Sequence, residues 1–299
     1  MKIAHLTDLH IDSPEAITPG LLFTGPMPNR RLLGAANFLL NRRSVHQVPV
    51  LQAAVRAVGE TGADFCVITG DVSNLAIDAE FKFVRGILDG IGGPDKLSLV
   101  PGNHDWYTPA AVKAGLFEKY FGDLIWRPGE VHGQWPVYRD FDGVRLILAR
   151  TAWTPPPGMA WGKMGPDQLD RIFRLSEEAA DAGKFVILAQ HHHMHRRAKL
   201  LHRTTGWYID QKRELEMISR SRIGLVIHGH DHDHFDHVVP SRHASGGTRI
   251  ICGGSATYMD QHHGRFGRMG VYEVRDGVLV VEKWMYSPDR ERFVQSLEG

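Results

Sequence analysis

The chain has 299 residues, of which 42% are hydrophobic and 23% are charged, and its formal net charge is +1. This composition is typical of a globular protein with one large α/β domain or two small ones. The charge shows no basic excess, so we do not expect a nucleic-acid partner. No stretch approaches the roughly 20 apolar residues that span a bilayer, and the N-terminus does not resemble a signal peptide. We therefore expect a cytoplasmic protein with no membrane partner.

Short apolar runs rich in Val, Ile and Leu recur along the chain, and each predicts a strand that is buried on both faces. In chain order they are Lys2–Thr7, Asp64–Thr69, Lys96–Val100, Lys184–Gln190 and Ile223–His228. Apolar spacing or a proline at a first turn predicts helices between them. These helices are Pro49–Thr61, Ile77–Leu88, Pro109–Tyr120 and Pro166–Ala182. Strands that alternate with helices predict βαβ units in an α/β fold.

Three regions depart from this alternation. Runs near the C-terminus are separated by turns, which predicts an antiparallel part at about 238–286. An irregular insertion covers about 13–46 and contains a basic piece at 30–43, and a proline-rich loop covers 153–163. Such segments are either functional loops or surface elaborations, and the sequence leaves both readings open. Because no repeat or linker is visible, we predict a single domain over 1–299.

Cysteine and histidine usage differ sharply. Cys66 and Cys252 each lie inside an apolar run, which favours two buried core thiols over a disulfide or a metal site. The 18 histidines are clustered instead, and neutral imidazole is the commonest metal ligand in proteins.

Polar residues of one kind follow each of the five apolar runs. In an open α/β sheet, ligands bind outside the carboxyl ends of the strands, so these residues are expected to meet at one edge. In chain order the groups are Asp8 with His10, Asp71 with Asn74, Asn103 with His104, His191 with His192, and His230 with His232.

Carboxylate, amide and imidazole groups without thiolate suit Zn, Mn or Fe. From these groups the five strand ends supply seven ligands in the order Asp, His, Asp, Asn, His, His and His, which are too many for one ion and suit two ions bridged by a carboxylate. Asp8 and His10 are two residues apart, so an extended backbone would point both side chains the same way. Glycine precedes several proposed ligands, at Gly70, Gly102 and Gly229, where a sharp turn or a close approach is expected. Nearby carboxylates that could orient the histidines are Asp105, Asp231 and Asp233.

The motifs D-x-H, G-D-x-x-N, G-N-H-D, a strand-end histidine and G-H-x-H, in this order, resemble the calcineurin-like metallophosphoesterase family over about residues 1–260. The resemblance implies a four-layer α-β-β-α sandwich and two divalent metal ions, Mn, Fe or Zn. One ion would be held by Asp8, His10 and His232, the other by Asn103, His191 and His230, with Asp71 bridging them. His192 is the alternative to His191.

The resemblance also implies catalytic roles for His104, Asp71 and Asn103. His104 would contact the phosphate and protonate the leaving oxygen. Family phosphoprotein phosphatases pair this histidine with an aspartate, where the present chain has Asn74, and an amide supports an imidazolium less well. His104, Asn74 and His192 form the expected substrate-binding set.

We therefore expect a phosphodiesterase that hydrolyses a cyclic nucleotide or another small phosphodiester with a metal-bridging hydroxide. The alternatives are a phosphomonoesterase or phosphoprotein phosphatase, a DNA exonuclease and, more remotely, a non-catalytic metal-binding scaffold. The phosphatase signature lacks its arginine after Asn74, the chain lacks the length and charge of an exonuclease, and its ligand set is complete. Self-association into a homo-oligomer is left open.

Overall fold

The computed structural model describes residues 1–13, 45–154, 156, 158–194, 206–243 and 245–296. The strands are β1 (Lys2–Leu6), β2 (Phe65–Ile68), β3 (Leu97–Leu99), β4 (Val137–Phe141), β5 (Val144–Leu148), β6 (Phe185–Ala189), β7 (Leu225–His228), β8 (His234–Pro240), β9 (Gly247–Gly253), β10 (Met259–Asp260), β11 (Arg265–Phe266), β12 (Arg268–Arg275), β13 (Val278–Ser287) and β14 (Arg292–Gln295). The α-helices are α1 (Val48–Glu60), α2 (Asp78–Leu88), α3 (Pro109–Lys113), α4 (Leu116–Ile125), α5 (Pro166–Asp181) and α6 (Gln211–Arg220).

Two six-stranded sheets form the centre of the molecule. The first has the order β14-β13-β12-β1-β2-β3, and the second has the order β4-β5-β6-β7-β9-β8. Helices α1 and α4 pack on the first sheet, and α5 packs on β5 and β6 of the second. The predicted four-layer α-β-β-α sandwich is confirmed.

Burial on both faces explains the apolar runs. In the second sheet, Leu146 and Ile187 point into the core shared with the first sheet. Their neighbours Ile147 and Val186 point the other way, into the layer formed with α5 and α6. Because both faces are covered, the strands read as continuous apolar segments and not as alternating ones. Cys66 and Cys252 are buried free thiols, as predicted.

The sequence reading missed several elements. The hairpin β4–β5 turns at Asp142-Gly143, where Gly143 has φ 66°. Asp-Gly between apolar runs is a strong hairpin signal, so this pair was recognisable. The helix predicted over Pro109–Tyr120 is broken at Gly115, whose φ is 58°. Helix α6 was not predicted, because it is polar on most of its surface.

The C-terminal strands pair antiparallel, but they belong to different sheets. β8 pairs with β9 in the second sheet, whereas β12 pairs with β1 and β13 in the first. β9 also runs parallel to β7. The predicted insertion falls largely on 14–44, outside the described residues, and the single-domain boundaries stay a prediction. Within the described ranges, no helix is long and apolar enough to cross a membrane.

Candidate metal centre

The loops that follow β1, β2, β3, β6 and β7 converge at one end of the sandwich. β1, β2 and β3 run parallel in the first sheet, and β6 and β7 run parallel in the second. Their carboxyl ends therefore open onto the same region, as the general rule for such sheets predicts. The donors predicted from the five motifs lie in these loops.

The backbone is left-handed at five of the predicted ligands. Their φ angles are 52° at Asp8, 46° at His10, 54° at Asp71, 76° at His230 and 57° at His232. The expectation that an extended backbone aligns Asp8 with His10 is therefore wrong; tight left-handed turns bring the side chains together. Each such conformation costs a non-glycine residue on the order of 1–3 kcal/mol, and strain of this kind clusters at functional sites.

The glycines that precede three ligands are required by space. Gly70 has φ 87°, and a Cβ on it would lie 2.5 Å from the Gly102 nitrogen. A Cβ on Gly102 would overlap the Asp71 carboxylate, and one on Gly229 would overlap Thr7. Both predicted reasons, positive φ and close approach, are confirmed.

Four predicted ligands form one cluster of donor atoms. The atoms from Asp8, His10, Asp71 and His232 all lie within 4.8 Å of one another. His10 Nε2 is 3.0 Å from His232 Nε2 and 3.5 Å from Asp71 Oδ2. His232 Nε2 is 3.3 Å from Asp8 Oδ1.

A second cluster shares Asp71 with the first. Its members Asp71, His191 and His230 also present their donor atoms within 4.8 Å of one another. Asn103 joins them, since its Oδ1 lies 3.1 Å from His191 Nε2 and 2.9 Å from His230 Nδ1. His191 Nε2 is 3.4 Å from Asp71 Oδ2. The carboxylate of Asp71 thus lies between two donor sets.

The donor spacing fits metal ions. Two ligands bound at about 2.1 Å are separated by about 3.0 Å when they are at right angles and about 3.4 Å in a tetrahedron. The distances within both clusters lie close to these values. The nearby thiol of Cys252 donates to the Gly229 carbonyl at 3.4 Å, and burial raises its pKa well above the ordinary value. The set is therefore oxygen and imidazole, which suits Zn, Mn or Fe.

Asp71 and His191 shift each other's pKa. Burial by itself would raise the pKa of Asp71, but the neighbouring His191 and His104 outweigh it and hold the pKa below its usual range. Burial would lower the pKa of His191, but Asp71 outweighs it and raises that pKa to about 9. The shared carboxylate is therefore ionised, as a cation ligand must be.

Backbone groups and a hydroxyl orient the donors. Asp8 Oδ2 accepts from the Thr7 hydroxyl at 2.8 Å and from the His230 amide at 2.9 Å. His191 Nδ1 donates to the Thr69 carbonyl at 2.7 Å, which turns Nε2 toward the cluster. Such partners fix the tautomer and orientation of a ligand histidine.

Two of the carboxylates expected to orient histidines, Asp105 and Asp233, bind other groups instead. Asp105 accepts from the amides of Gly102 at 2.9 Å and Ser73 at 3.0 Å, so it ties two of the ligand loops together. Asp233 pairs with Arg265 at 2.5 Å.

His104 lies beside the shared carboxylate. Its amide donates to Asp71 Oδ1 at 2.7 Å, and its ring Nδ1 donates to the Asn74 carbonyl at 2.7 Å. The Asn74 side chain points elsewhere and donates to the His10 carbonyl at 2.7 Å. Asn74 therefore holds His104 through its main chain and supports the His10 loop through its amide. The His104 ring packs edge-on to the His10 ring, with centroids 4.8 Å apart.

The structure separates His191 from His192. His191 faces Asp71, whereas His192 Nδ1 lies 2.8 Å from the Thr151 hydroxyl and its ring packs 4.5 Å from that of His230. The sequence reading missed His46, whose ring is 4.9 Å from that of His10 and whose Nδ1 is 2.9 Å from Thr257 Oγ1. No local pattern marks it, because it lies at the end of the irregular insertion.

The sandwich with its two linked donor clusters has the architecture of a metallophosphoesterase. The sequence pattern of calcineurin-like phosphoesterases matches residues 1–234. The chain therefore belongs to the calcineurin-like phosphoesterase family, and this confirms the resemblance. Members of the family are metal-dependent phosphoesterases with a binuclear centre. No curated protein sequence matches the chain.

Solved structures confirm the fold. A purple acid phosphatase from yellow lupin (Lupinus luteus) seeds superposes with a TM-score of 0.62 at 11% identity, covering 95% of this chain and 51% of that one. A dimetal phosphatase from Danio rerio gives 0.58 at 14% identity and covers 98% of both chains. The Haemophilus influenzae NAD nucleotidase gives 0.51 at 8% identity, covering 99% of this chain and 53% of that one. The present chain thus spans about half the length of the lupin phosphatase and of the nucleotidase.

Proposed function

We propose that this protein is a two-metal phosphodiesterase that hydrolyses a small phosphodiester, such as a cyclic nucleotide. The observation that carries the proposal is the position of Asp71, whose carboxylate is shared by two clusters with metal-ligand spacing. Asp8, His10 and His232 would hold one ion with Asp71, and Asn103, His191 and His230 would hold the other. Mn, Fe and Zn all suit these donors.

When bound, a pair of divalent cations supplies a water with a pKa near 7 and stabilises charge on the phosphoryl oxygens. The side chains of the protein hold the rest of the machinery in place. His104 is fixed by two hydrogen bonds, one from its amide and one from its ring. Because Nδ1 donates to a carbonyl, Nε2 is the nitrogen that would face substrate, and it donates to a phosphate or leaving oxygen only when the ring is protonated.

The partner of His104 supports a diester over a monoester. In phosphoprotein phosphatases of the family an aspartate pairs with this histidine. Here the His104 ring donates to the main-chain carbonyl of Asn74, which stabilises an imidazolium less than a carboxylate does, and the Asn74 side chain is directed to the His10 carbonyl. The phosphatase pairing is therefore missing, which favours the diester over the monoester.

A paired assay tests the proposal. Metal-free protein and protein supplied with manganese are given bis-p-nitrophenyl phosphate or p-nitrophenyl phosphate at equal concentration. We expect manganese-dependent turnover with a higher kcat/KM for the diester. His104→Asn should lower that value by about 10²–10⁴-fold. His132→Asn is the matched control, since His132 is exposed and stacks on Trp126.

Every different outcome of these assays would indicate one of the alternative functions. A higher kcat/KM for the monoester would indicate a phosphatase. Turnover of neither compound by protein with two ions bound would contradict the phosphodiesterase and favour a scaffold. Cleavage of double-stranded DNA, but of neither compound, would indicate a nuclease. The cytoplasmic location and the homo-oligomer stay predictions from the sequence.

A further inference from the structure

A second cavity lies between the two sheets, beside β8 and β9 on one side and β12 and β13 on the other. It measures about 370 Å³, and its lining includes His234, Arg268, Gly270, Tyr272 and Lys283. None of the predicted metal ligands lines it. Gly270 opposes Lys283 in the β12–β13 register, and a Cβ at Gly270 would overlap the Tyr272 hydroxyl. The absence of a side chain at this position therefore helps to keep the space open.

Two cations at this cavity, Arg268 and Lys283, form no ion pair within the part of the chain that the structure describes. Neither Arg268 nor Lys283 lies within 4.0 Å of a carboxylate among the described residues. Since Lys283 opposes Gly270, Arg268 occupies the diagonal position on the same face of the strand pair. Diagonal positions of a strand pair are about 7–8 Å apart, within reach of long side chains, and like charges placed there repel each other. An anion between them would relieve this repulsion.

Two carboxylates of the strands around the cavity, Asp236 and Glu282, are already engaged by other cations. Asp236 binds Arg249 with two contacts of 2.9 and 2.8 Å. Glu282, which also lines the cavity, pairs with Lys2 at 2.9 Å. With both acidic groups neutralised, the cavity keeps the positive charge of Arg268 and Lys283.

His234 adds a hydrogen-bond acceptor. Its Nδ1 donates to the Cys252 carbonyl at 3.0 Å, so Nε2 carries the lone pair of the neutral ring. Nε2 is buried and has no hydrogen-bond partner in the described structure. Arg268 and Lys283 line the same cavity as His234. A ligand for this cavity would therefore combine negative charge with an O–H donor.

We propose that the inter-sheet cavity binds a small phosphate-bearing anion, either hydrogen phosphate or an organic monophosphate. Arg268 and Lys283 contact the phosphate oxygens, and an O–H of the ligand donates to His234 Nε2. The volume lies at the lower end of small-molecule pockets, which run from about 300 to 1,000 Å³. This site is separate from the metal centre and does not depend on the proposed hydrolase activity.

Calorimetric titration of the metal-free full chain tests this site without competition from bound metal. Inorganic phosphate and adenosine 5′-monophosphate are the two probes, and the tighter of them distinguishes a free phosphate from an organic one. We expect one bound anion per chain. Arg268→Gln and Lys283→Met should each weaken binding at least tenfold. Lys119→Met is the matched control, since Lys119 is exposed and bound to Asp78 elsewhere.

A second comparison separates this cavity from the metal centre. His230→Ala alters the metal centre only, so it should leave anion binding to the metal-free protein unchanged. The proposal is overturned if millimolar phosphate and adenosine monophosphate both fail to bind. It is also overturned if Arg268→Gln and Lys283→Met bind like the wild type, or if His230→Ala abolishes binding. Circular dichroism of each variant establishes that it is folded.

Discussion

The two linked donor clusters predict a specific pattern of metal stoichiometry in three variants. His232 contacts donors of the first cluster only, at 3.0 Å from His10 and 3.3 Å from Asp8. The His230 side chain belongs to the second cluster, with its Nδ1 2.9 Å from Asn103 Oδ1, and only the main-chain amide of His230 contacts Asp8 of the first. Asp71 belongs to both. Removing either histidine should therefore weaken the binding of one ion, whereas Asp71→Asn should weaken the binding of both.

The size of the effect follows from the loss of a direct ligand. Removing groups that merely orient a ligand costs about 10–100-fold in metal affinity, so losing a ligand itself should cost at least about 100-fold. A hundredfold loss corresponds to about 2.7 kcal/mol. At manganese concentrations that just saturate the wild type, the affected site would be almost empty.

Equilibrium dialysis with manganese, followed by elemental analysis, measures this pattern. We expect two ions per chain in the wild type, one in His232→Ala, one in His230→Ala and none in Asp71→Asn. His132→Asn should retain two. The reasoning is refuted if Asp71→Asn retains an ion under these conditions, or if His230→Ala and His232→Ala each lose both ions while remaining folded.

Three further outcomes are expected. Gly102→Ala forces a methyl group into the Asp71 carboxylate, so manganese affinity should fall at least about tenfold. Gly143→Ala, at the remote hairpin, should leave manganese affinity unchanged, and equilibrium dialysis compares the two variants. Asn74→Asp replaces the donor to the His10 carbonyl with an acceptor and should cost about 1–3 kcal/mol in urea unfolding, and an unaltered unfolding midpoint would contradict this. Burial raises the pKa of Glu214 from 4.5 to about 7, so the folded state binds the extra proton and loses stability as pH rises through this range. The unfolding free energy of the wild type relative to Glu214→Gln should therefore fall by about 3 kcal/mol between pH 4.5 and pH 7.5, and a constant difference would show that the carboxyl is not perturbed.

The residues that form the two clusters could be predicted from the sequence because the chemistry is local. Each motif joins a buried strand to a residue type that binds metal, and Gly70 and Gly102 mark the turns where the backbone crowds the site. The strands are recognisable because both faces of each sheet are covered. Periodicity was less useful for α6, whose face toward the protein is narrow, and for the helix that Gly115 interrupts.

The backbone conformation at the ligands was not accessible from spacing. The side chains of residues i and i+2 point the same way when the chain is extended, whereas Asp8 and His10 both have positive φ. Tertiary contacts hold this conformation. The amide of His10 donates to the Asp71 carbonyl at 2.9 Å, and the amide of Asp8 donates to the Gly70 carbonyl at 3.1 Å.

What the sequence by itself determined is the buried strands that precede the donors, the α/β class and the residue types at the strand ends, because hydrophobic periodicity and ligand chemistry are local properties. Only the tertiary structure decided which donors share Asp71, that His191 rather than His192 faces it, and that His46 lies beside His10. Those relations join residues far apart in the chain, at distances set by the packing of one sheet on the other. The cavity at Arg268 and Lys283 has the same origin, since its walls come from both sheets.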